Sequence, residues 1–305
     1  MMSSAAVEKS DDTAMQHCAS CGIAGGGDIK LMKCTACHLV KYCSVKCQKD
    51  HRPKHKKKCK KRAAELKEEI LFKQPESTHY GDCPICCLPV PIDNSKSTLF
   101  LCCGKRICNG CNIAKAMRER EEGLQYKCPF CRKVLPKSDE EAKQLLMKRV
   151  DANDPIAVCH FGSRSYNKGD YKTAVEYWTR AASLGDADAH YHLSRLYHEG
   201  VGVEKDKKKE LHHVKEAAIA GHPEARHNLA CVEGGHGPAR AVKHFIIAAN
   251  LGYDHSLDAL KTLYKDGLVS KDVFSAALRG YQTAIEATKS PQREEAYLRA
   301  PKKGI

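Results

Sequence analysis

From Asp139 onward the chain alternates apolar and polar positions with a helical period, and small residues punctuate it at regular intervals. The stretches Ala181-Ala182-Ser183-Leu184-Gly185, Ala217-Ala218-Ile219-Ala220-Gly221 and Ala248-Ala249-Asn250-Leu251-Gly252 superpose with steps of 36 and then 31 residues. The same steps relate Ala189, Ala225 and Ser256, and again Leu193, Leu229 and Leu260. Each unit contains two amphipathic stretches, which predicts an antiparallel helix pair that cannot bury its apolar face alone and must stack on its neighbours. Paired alanines allow close helix approach, and the glycine after the second helix supplies a left-handed cap. Four units are expected, at about 153–185, 186–221, 222–252 and 253–287, within a repeat domain spanning 153–287. The loop inside the second unit, Glu199 to Asp206, is longer than its counterpart at Glu233 to Pro238. A polar tail with Pro291 and Pro301 follows at 288–305.

The N-terminal half has no such period. Met1 to Gln16 is polar and mixed in charge, so a disordered N-terminus is expected at 1–17. Ala63 to Lys73 has helical composition, and Gln74 to Asp82, with Pro75 and Gly81, reads as a linker. A basic helix and linker therefore occupy 60–82. No stretch approaches the 18 or so apolar residues of a membrane span, and no apolar run marks an export signal. The expectation is a cytoplasmic or nuclear protein without a membrane segment.

Cysteine changes the picture most. Sixteen of the eighteen cysteines fall between Cys18 and Cys131. The first set runs Cys18, Cys21, Cys34, Cys37, Cys43, Cys47, His55 and Cys59; the second runs Cys83, Cys86, Cys102, Cys103, Cys108, Cys111, Cys128 and Cys131. A CxxC step lets one tight turn place two thiolates on one ion, and zinc takes four such ligands in a tetrahedron. Eight ligands per set therefore predict two zinc ions each, four in all. In a reducing compartment zinc is favoured over a disulfide framework. Cys87 lies beside a ligand position, while Cys159 and Cys231 lie on apolar helical stretches and are expected in the core. Eleven of the sixteen histidines lie beyond residue 139, at no ligand spacing, and solvated helix faces are expected to hold them.

The formal charge of +14 is concentrated at the front: residues 1–150 hold 29 Lys+Arg against 17 Asp+Glu, a net of +12, and the remainder nets +2. Each zinc with four thiolates nets −2, and one with three thiolates and a neutral histidine nets −1. Four loaded sites would bring the N-terminal half to about +5. The densest basic run, His51 to Arg62, carries eight Lys/Arg but also His55 and Cys59, and no aromatics are interleaved for stacking on bases. Nucleic-acid binding is not expected; the cations offset nearby thiolates, and the run also has the composition of a nuclear import signal.

Residues 18–59 resemble a MYND-type zinc finger, with both CxxC pairs, Tyr42-Cys43, Cys47-Gln48 and the terminal His55-x3-Cys59. Residues 83–132 resemble a RING finger, opening on Cys83-Pro84-Ile85-Cys86 and closing on Cys128-Pro129-Phe130-Cys131-Arg132. The helical units resemble Sel-one-like repeats, relatives of the tetratricopeptide repeat, best at Ala189-x3-Leu193-x2-Leu196-Tyr197-x2-Gly200-Val201-Gly202-Val203. The implied fold is mainly α: two small cross-braced zinc modules followed by an α-solenoid of about four helix-pair repeats.

The resemblance implies interleaved ligand pairing. One MYND-like zinc would take Cys18, Cys21, Cys43 and Cys47, the other Cys34, Cys37, His55 and Cys59. MYND fingers that grip proline-rich peptides place a tryptophan where this chain has Arg52, although Gln48 is kept. In the RING-like part the usual Cys-x-His pair would fall on Cys103 and Lys105, and an ammonium cannot ligate. Cys102 and Cys103 replace it, giving Cys83, Cys86, Cys108, Cys111 and Cys102, Cys103, Cys128, Cys131.

Four-ligand sites leave no position for water or substrate, no nucleophile grouping stands out, and Gly25-Gly26-Gly27 lacks the Lys-Ser/Thr of a phosphate loop, fitting a hairpin tip instead. No catalytic residue is assigned. MYND fingers also occur in lysine methyltransferases, but nothing from 139 to 305 resembles a SET domain. Two classes remain: a non-enzymatic adaptor whose zinc modules and repeats dock protein partners, or a RING-type ubiquitin ligase. For the ligase, the resemblance implies that Ile85 and Pro129 contact a ubiquitin-conjugating enzyme and Arg132 holds the ubiquitin thioester.

Overall fold

The computed structural model describes residues 16–235 and 237–299, so the N-terminus expected to be disordered lies almost wholly outside the described residues. The chain divides into two units, residues 1–71 and 72–305.

In the first unit, strands β1 (Met32–Lys33) and β2 (Lys41–Tyr42) pair antiparallel, Met32 opposite Tyr42. They lead into helix α1 (Val45–Leu71), so the stretch after Cys59 does extend the ligand-bearing helix. Gly26 and Ile29 bridge at the tip of a turn, as the glycine run suggested. The apolar interior is little more than Cys18, Cys34, Cys37 and Tyr42, far too small to hold a fold by apolar burial alone. Beyond Cys59, α1 presents charge almost all round, with Arg62 pairing to Glu65 and Glu69.

The second unit opens on a docked segment rather than a free linker. The Phe72 ring stacks on His244 at 4.5 Å, Asn250 Nδ2 donates to Gln74 Oε1, and the His79 amide donates to Gly221 O at 3.1 Å. Strands β3 (Ser97–Phe100) and β4 (Lys105–Cys108) form an antiparallel hairpin that feeds helix α2 (Asn109–Glu121). Val90, Phe100 and Ile107 form a small core with the cysteines around it.

Helix α3 (Asp139–Asp151) precedes four antiparallel pairs: α4 (Pro155–Asn167) with α5 (Tyr171–Ser183), α6 (Ala187–Glu199) with α7 (Lys207–Ile219), α8 (Pro223–Gly234) with α9 (Pro238–Asn250), and α10 (Asp254–Lys265) with α11 (Lys271–Ala287). Asp154, Asp170, Asp186 and Asp206 cap their helices through carboxylate oxygens, satisfying amides that would otherwise be orphaned. Gly185, Gly221 and Gly252 end the second helix of successive pairs at φ of 88°, 86° and 89°, where a Cβ would be strained. Ala189, Leu193, Ala225, Leu229 and Leu260, the marker positions, are fully buried. Residues beyond 288, polar in sequence, contain helix α12 (Pro291–Arg299), which packs on α2.

Two expectations are corrected here. Cys231 is exposed on α8 rather than in the core. Among the repeat histidines, His222 and His244 are buried at 6% and 0% exposure, not on solvated faces. His222 caps α8, and His244 bonds Glu233 from inside the solenoid.

Candidate metal centres

Each of the first knuckle cysteines begins the same local turn. The amides of Gly22, His38, Cys87 and Arg132 each donate to the carbonyl of the cysteine four residues earlier, and all four residues have φ between 56° and 75°. Such a turn aims both sulfurs of a CxxC pair to one side. Holding histidine, cysteine and arginine in the left-handed region costs about 1–2 kcal/mol per residue, which the closed knuckle must offset. The remaining ligand positions come from helices or from turns that adjoin the strands. Cys47, His55 and Cys59 lie on α1, the last two at the i,i+4 spacing that shares a face. Cys108 caps α2, and its sulfur accepts from the Cys111 amide at 3.4 Å. Cys102 and Cys103 sit in the β3–β4 turn, where Gly104 takes φ of 71° and the amides of Cys103 and Gly104 both donate to Phe100 O.

Four clusters result: Cys18, Cys21, Cys43, Cys47; Cys34, Cys37, His55, Cys59; Cys83, Cys86, Cys108, Cys111; and Cys102, Cys103, Cys128, Cys131. Within each, the ligand atoms lie within 4.8 Å of one another. The separations include Cys21–Cys43 at 3.5 Å, Cys34–Cys59 at 3.8 Å, Cys86–Cys108 at 3.9 Å and Cys103–Cys128 at 3.6 Å. His55 Nε2 stands 3.1 Å from Cys37 Sγ. Sulfurs at tetrahedral corners about 2.3 Å from zinc are about 3.8 Å apart, whereas a disulfide needs about 2.05 Å. The residues fit zinc and do not fit disulfides.

The electrostatics call for a cation. In the first cluster Cys18 is buried, which raises a thiol, yet the amides of Cys21, Cys43 and Ser20 bring it down to about 6. Its neighbour Cys43, hydrogen-bonded to Cys21 and Cys47, is pushed up to about 12. Four crowded thiols cannot all ionise unless a positive ion joins them. Cys87 belongs to no cluster and its side chain is exposed. Of the residues expected to face a conjugating enzyme, Ile85 is 44% exposed, Pro129 half-buried and Arg132 exposed.

A fifth grouping escaped sequence reading altogether: His79 of the docked segment, Asp188 of α6 and His222 ahead of α8. His79 Nε2 stands 2.9 Å and His222 Nε2 3.4 Å from the same Asp188 oxygen. The imidazoles stack, centroids 4.4 Å apart and planes 5° from parallel, so one ion cannot lie in both ring planes. His222 Nδ1 already accepts from the Ala225 amide, which leaves the ring proton on Nε2 facing the carboxylate. Asp188 thus stands against both imidazoles, a polar latch between the docked segment and the repeats. It borders a cavity of about 1360 Å³ between the β3–β4 module and the repeat helices, lined also by Tyr191, His192, Glu224, Tyr253 and Tyr281.

The family matches agree with this anatomy. Residues 18–59 match the MYND finger family, and residues 156–186, 187–222 and 223–253 match the Sel1 repeat family. Over 34 residues the chain is 56% identical to human histone-lysine N-methyltransferase SMYD3; the match covers 11% of this chain and 8% of that protein. A Sel1 repeat protein from Oxalobacter formigenes is similar at 21% identity and a TM-score of 0.43, covering 64% of this chain and 86% of that one. The c5321 antigen of uropathogenic Escherichia coli, with the SLR fold, is similar at 18% identity and a TM-score of 0.39, covering 65% and 42%. A segment matching the MYND finger thus precedes three segments matching the Sel1 repeat, and the cysteine clusters carry the donor set of zinc sites. Among the described residues no helix is long and apolar enough to cross a membrane.

Proposed function

We propose that this protein is a non-enzymatic adaptor in which four structural zinc ions hold two rigid modules and the Sel1 repeats dock an extended segment of a partner protein. The carrying observation is the closure of all four clusters: each offers four ligand atoms and therefore no open coordination position for water or substrate. The cavity beside the repeats supports docking, since Tyr191, Tyr253 and Tyr281 combine apolar faces with polar tips along its wall. Metal analysis tests the first half: the purified chain is expected to hold four zinc ions per molecule. Chelation should unfold residues 18–131 while most helical circular dichroism persists, because stacked repeats keep their own core. A content of two ions would remove the second zinc module from the reading.

A RING-type ubiquitin ligase is the second reading, favoured by the exposure of Ile85 and Arg132 on the first and last knuckle turns of the module. Catalysis would then be positional, holding a ubiquitin thioester near a lysine without a nucleophile from this chain. Thioester discharge across a broad panel of conjugating enzymes separates the two. Discharge abolished by Arg132→Ala with zinc retained establishes the ligase; no discharge by the wild type leaves the adaptor.

A further inference from the structure

We propose that Arg293, on the C-terminal helix α12, is a positioning residue of the Cys83, Cys86, Cys108, Cys111 centre, and that this helix closes the centre by bonding the Cys86 sulfur. The inference rests on the reading that this cluster holds zinc. Arg293 is only 1% exposed, and its guanidinium threads into the first knuckle of the module. Nη1 donates to Pro89 O at 2.9 Å and Thr288 O at 2.6 Å; Nη2 donates to Leu88 O at 3.1 Å and Cys86 Sγ at 3.2 Å. Four of its five N–H groups are thus engaged, and Nε has no partner. No described carboxylate pairs with it. A buried guanidinium without a counter-charge is strongly disfavoured. A zinc held by four thiolates carries a net −2, and Cys86 presents part of that charge directly to Nη2. Arginine and metal centre are therefore each other's counter-ions.

The packing is built for this approach. Gly110 lies between ligands Cys108 and Cys111, and a Cβ there would come within 2.7 Å of Arg293 Cγ and 2.8 Å of its Cα. Only glycine lets α12 lie against the ligand pair. Ser290 accepts from the Arg293 amide at 3.2 Å, starting the helix where the guanidinium can enter, and Ala296 buries the next turn. Groups that donate to metal-bound ligands hold their orientation and draw charge from them, so losing one costs roughly 10- to 100-fold in metal affinity. Zinc retention in this module then depends on a side chain 207 residues beyond the thiolate it touches.

The test compares the full-length protein with Arg293→Gln, Arg293→Lys and Gly110→Ala. Zinc release to a chromogenic chelator is followed alongside mass-spectrometric mapping of iodoacetamide labelling. In Arg293→Gln one ion of four is expected to leave roughly 10-fold faster or more, the others at unchanged rates. Cys86 labelling should accelerate ahead of Cys83, Cys108 and Cys111, because only its sulfur loses a donor; a general loosening would accelerate all four together. Gly110→Ala, which keeps the guanidinium but pushes α12 away, should give the same Cys86 preference. If Arg293→Gln does not fold, Arg293→Lys, which keeps the charge but cannot span the four acceptors, should show the preference in weaker form. Wild-type release kinetics in all variants, or equal labelling of the four cysteines, overturns the proposal. Fewer than four ions in the wild type, with these cysteines labelled at free-thiol rates, instead refutes zinc in the cluster and the proposal with it.

Discussion

At the scale of single residues, the four knuckles separate side chains that enter a cluster from side chains that merely close a turn. Cys87 is the clearest case: adjacent to Cys86 in sequence, it turns outward at φ of 56° while its amide bonds Cys83 O. Native mass spectrometry should therefore show about one zinc lost from Cys102→Ser or Cys103→Ser, and none from Cys87→Ser or Lys105→Ala. The turn position itself makes a second prediction. His38 holds φ of 57° with an exposed side chain, a conformation that glycine adopts without the Cβ penalty. His38→Gly is expected to stabilise the zinc-loaded finger by about 0.5–1 kcal/mol, the left-handed penalty less the added freedom of the unfolded chain. A midpoint of denaturation, measured at constant excess zinc, that fails to rise would show that the His38 ring contributes contacts in the folded finger.

At the scale of elements, stability is divided unequally. The repeat helices are amphipathic and meet through small residues: Gly162 of α4 lies so close to Trp178 of α5 that a Cβ would stand 2.8 Å from the indole. Leu229 of α8 is fully buried among its neighbours, and Leu229→Ala should cost about 2–5 kcal/mol, through lost burial and the cavity left behind. Leu298 of α12, 87% exposed, is the control, with an expected change within about 0.5 kcal/mol. Urea denaturation followed by circular dichroism reads both. Equal effects would mean that the repeat core is not where solenoid stability resides. Helix α1 contrasts with these: past Cys59 it has almost no apolar face, so its metal-anchored first half and the Arg62 pairs sustain it.

At the scale of the whole molecule, buried histidines tie stability to pH. Burial brings His192 down to about 4; burial together with Arg226 does the same to His244, and burial with the neighbouring histidines does so to His213. Each has a folded-state value below its unfolded value of about 6.5, so the unfolded chain binds more protons. Their contribution is fully present above pH 6.5 and is lost as pH falls toward 4. The midpoint of urea denaturation for zinc-independent helical signal should fall across that window, and His244→Phe should flatten the slope. An unchanged midpoint between pH 6.5 and 4.5 would contradict neutral burial of these rings.

The cysteine clusters and the repeat were legible in the sequence because both follow from short, regular spacings. A tetrahedral ion constrains the spacing between pairs, and a stacked helix pair must repeat its apolar and small positions to meet the next pair. Leu193, Leu229 and Leu260 announced their burial by period alone. The sequence also pointed to the pair Cys102 and Cys103, which the fold brings together with Cys128 and Cys131. What no spacing encoded were meetings set by how the solenoid curves back on the module before it. His79 reaches Asp188 and His222 across more than a hundred residues, and Arg293 of an apparently polar tail reaches Cys86. Histidine and arginine are amphipathic, equally at home in solvent or against a buried partner. For such residues composition is silent, and only the packed structure decides which of them carry charge into the interior.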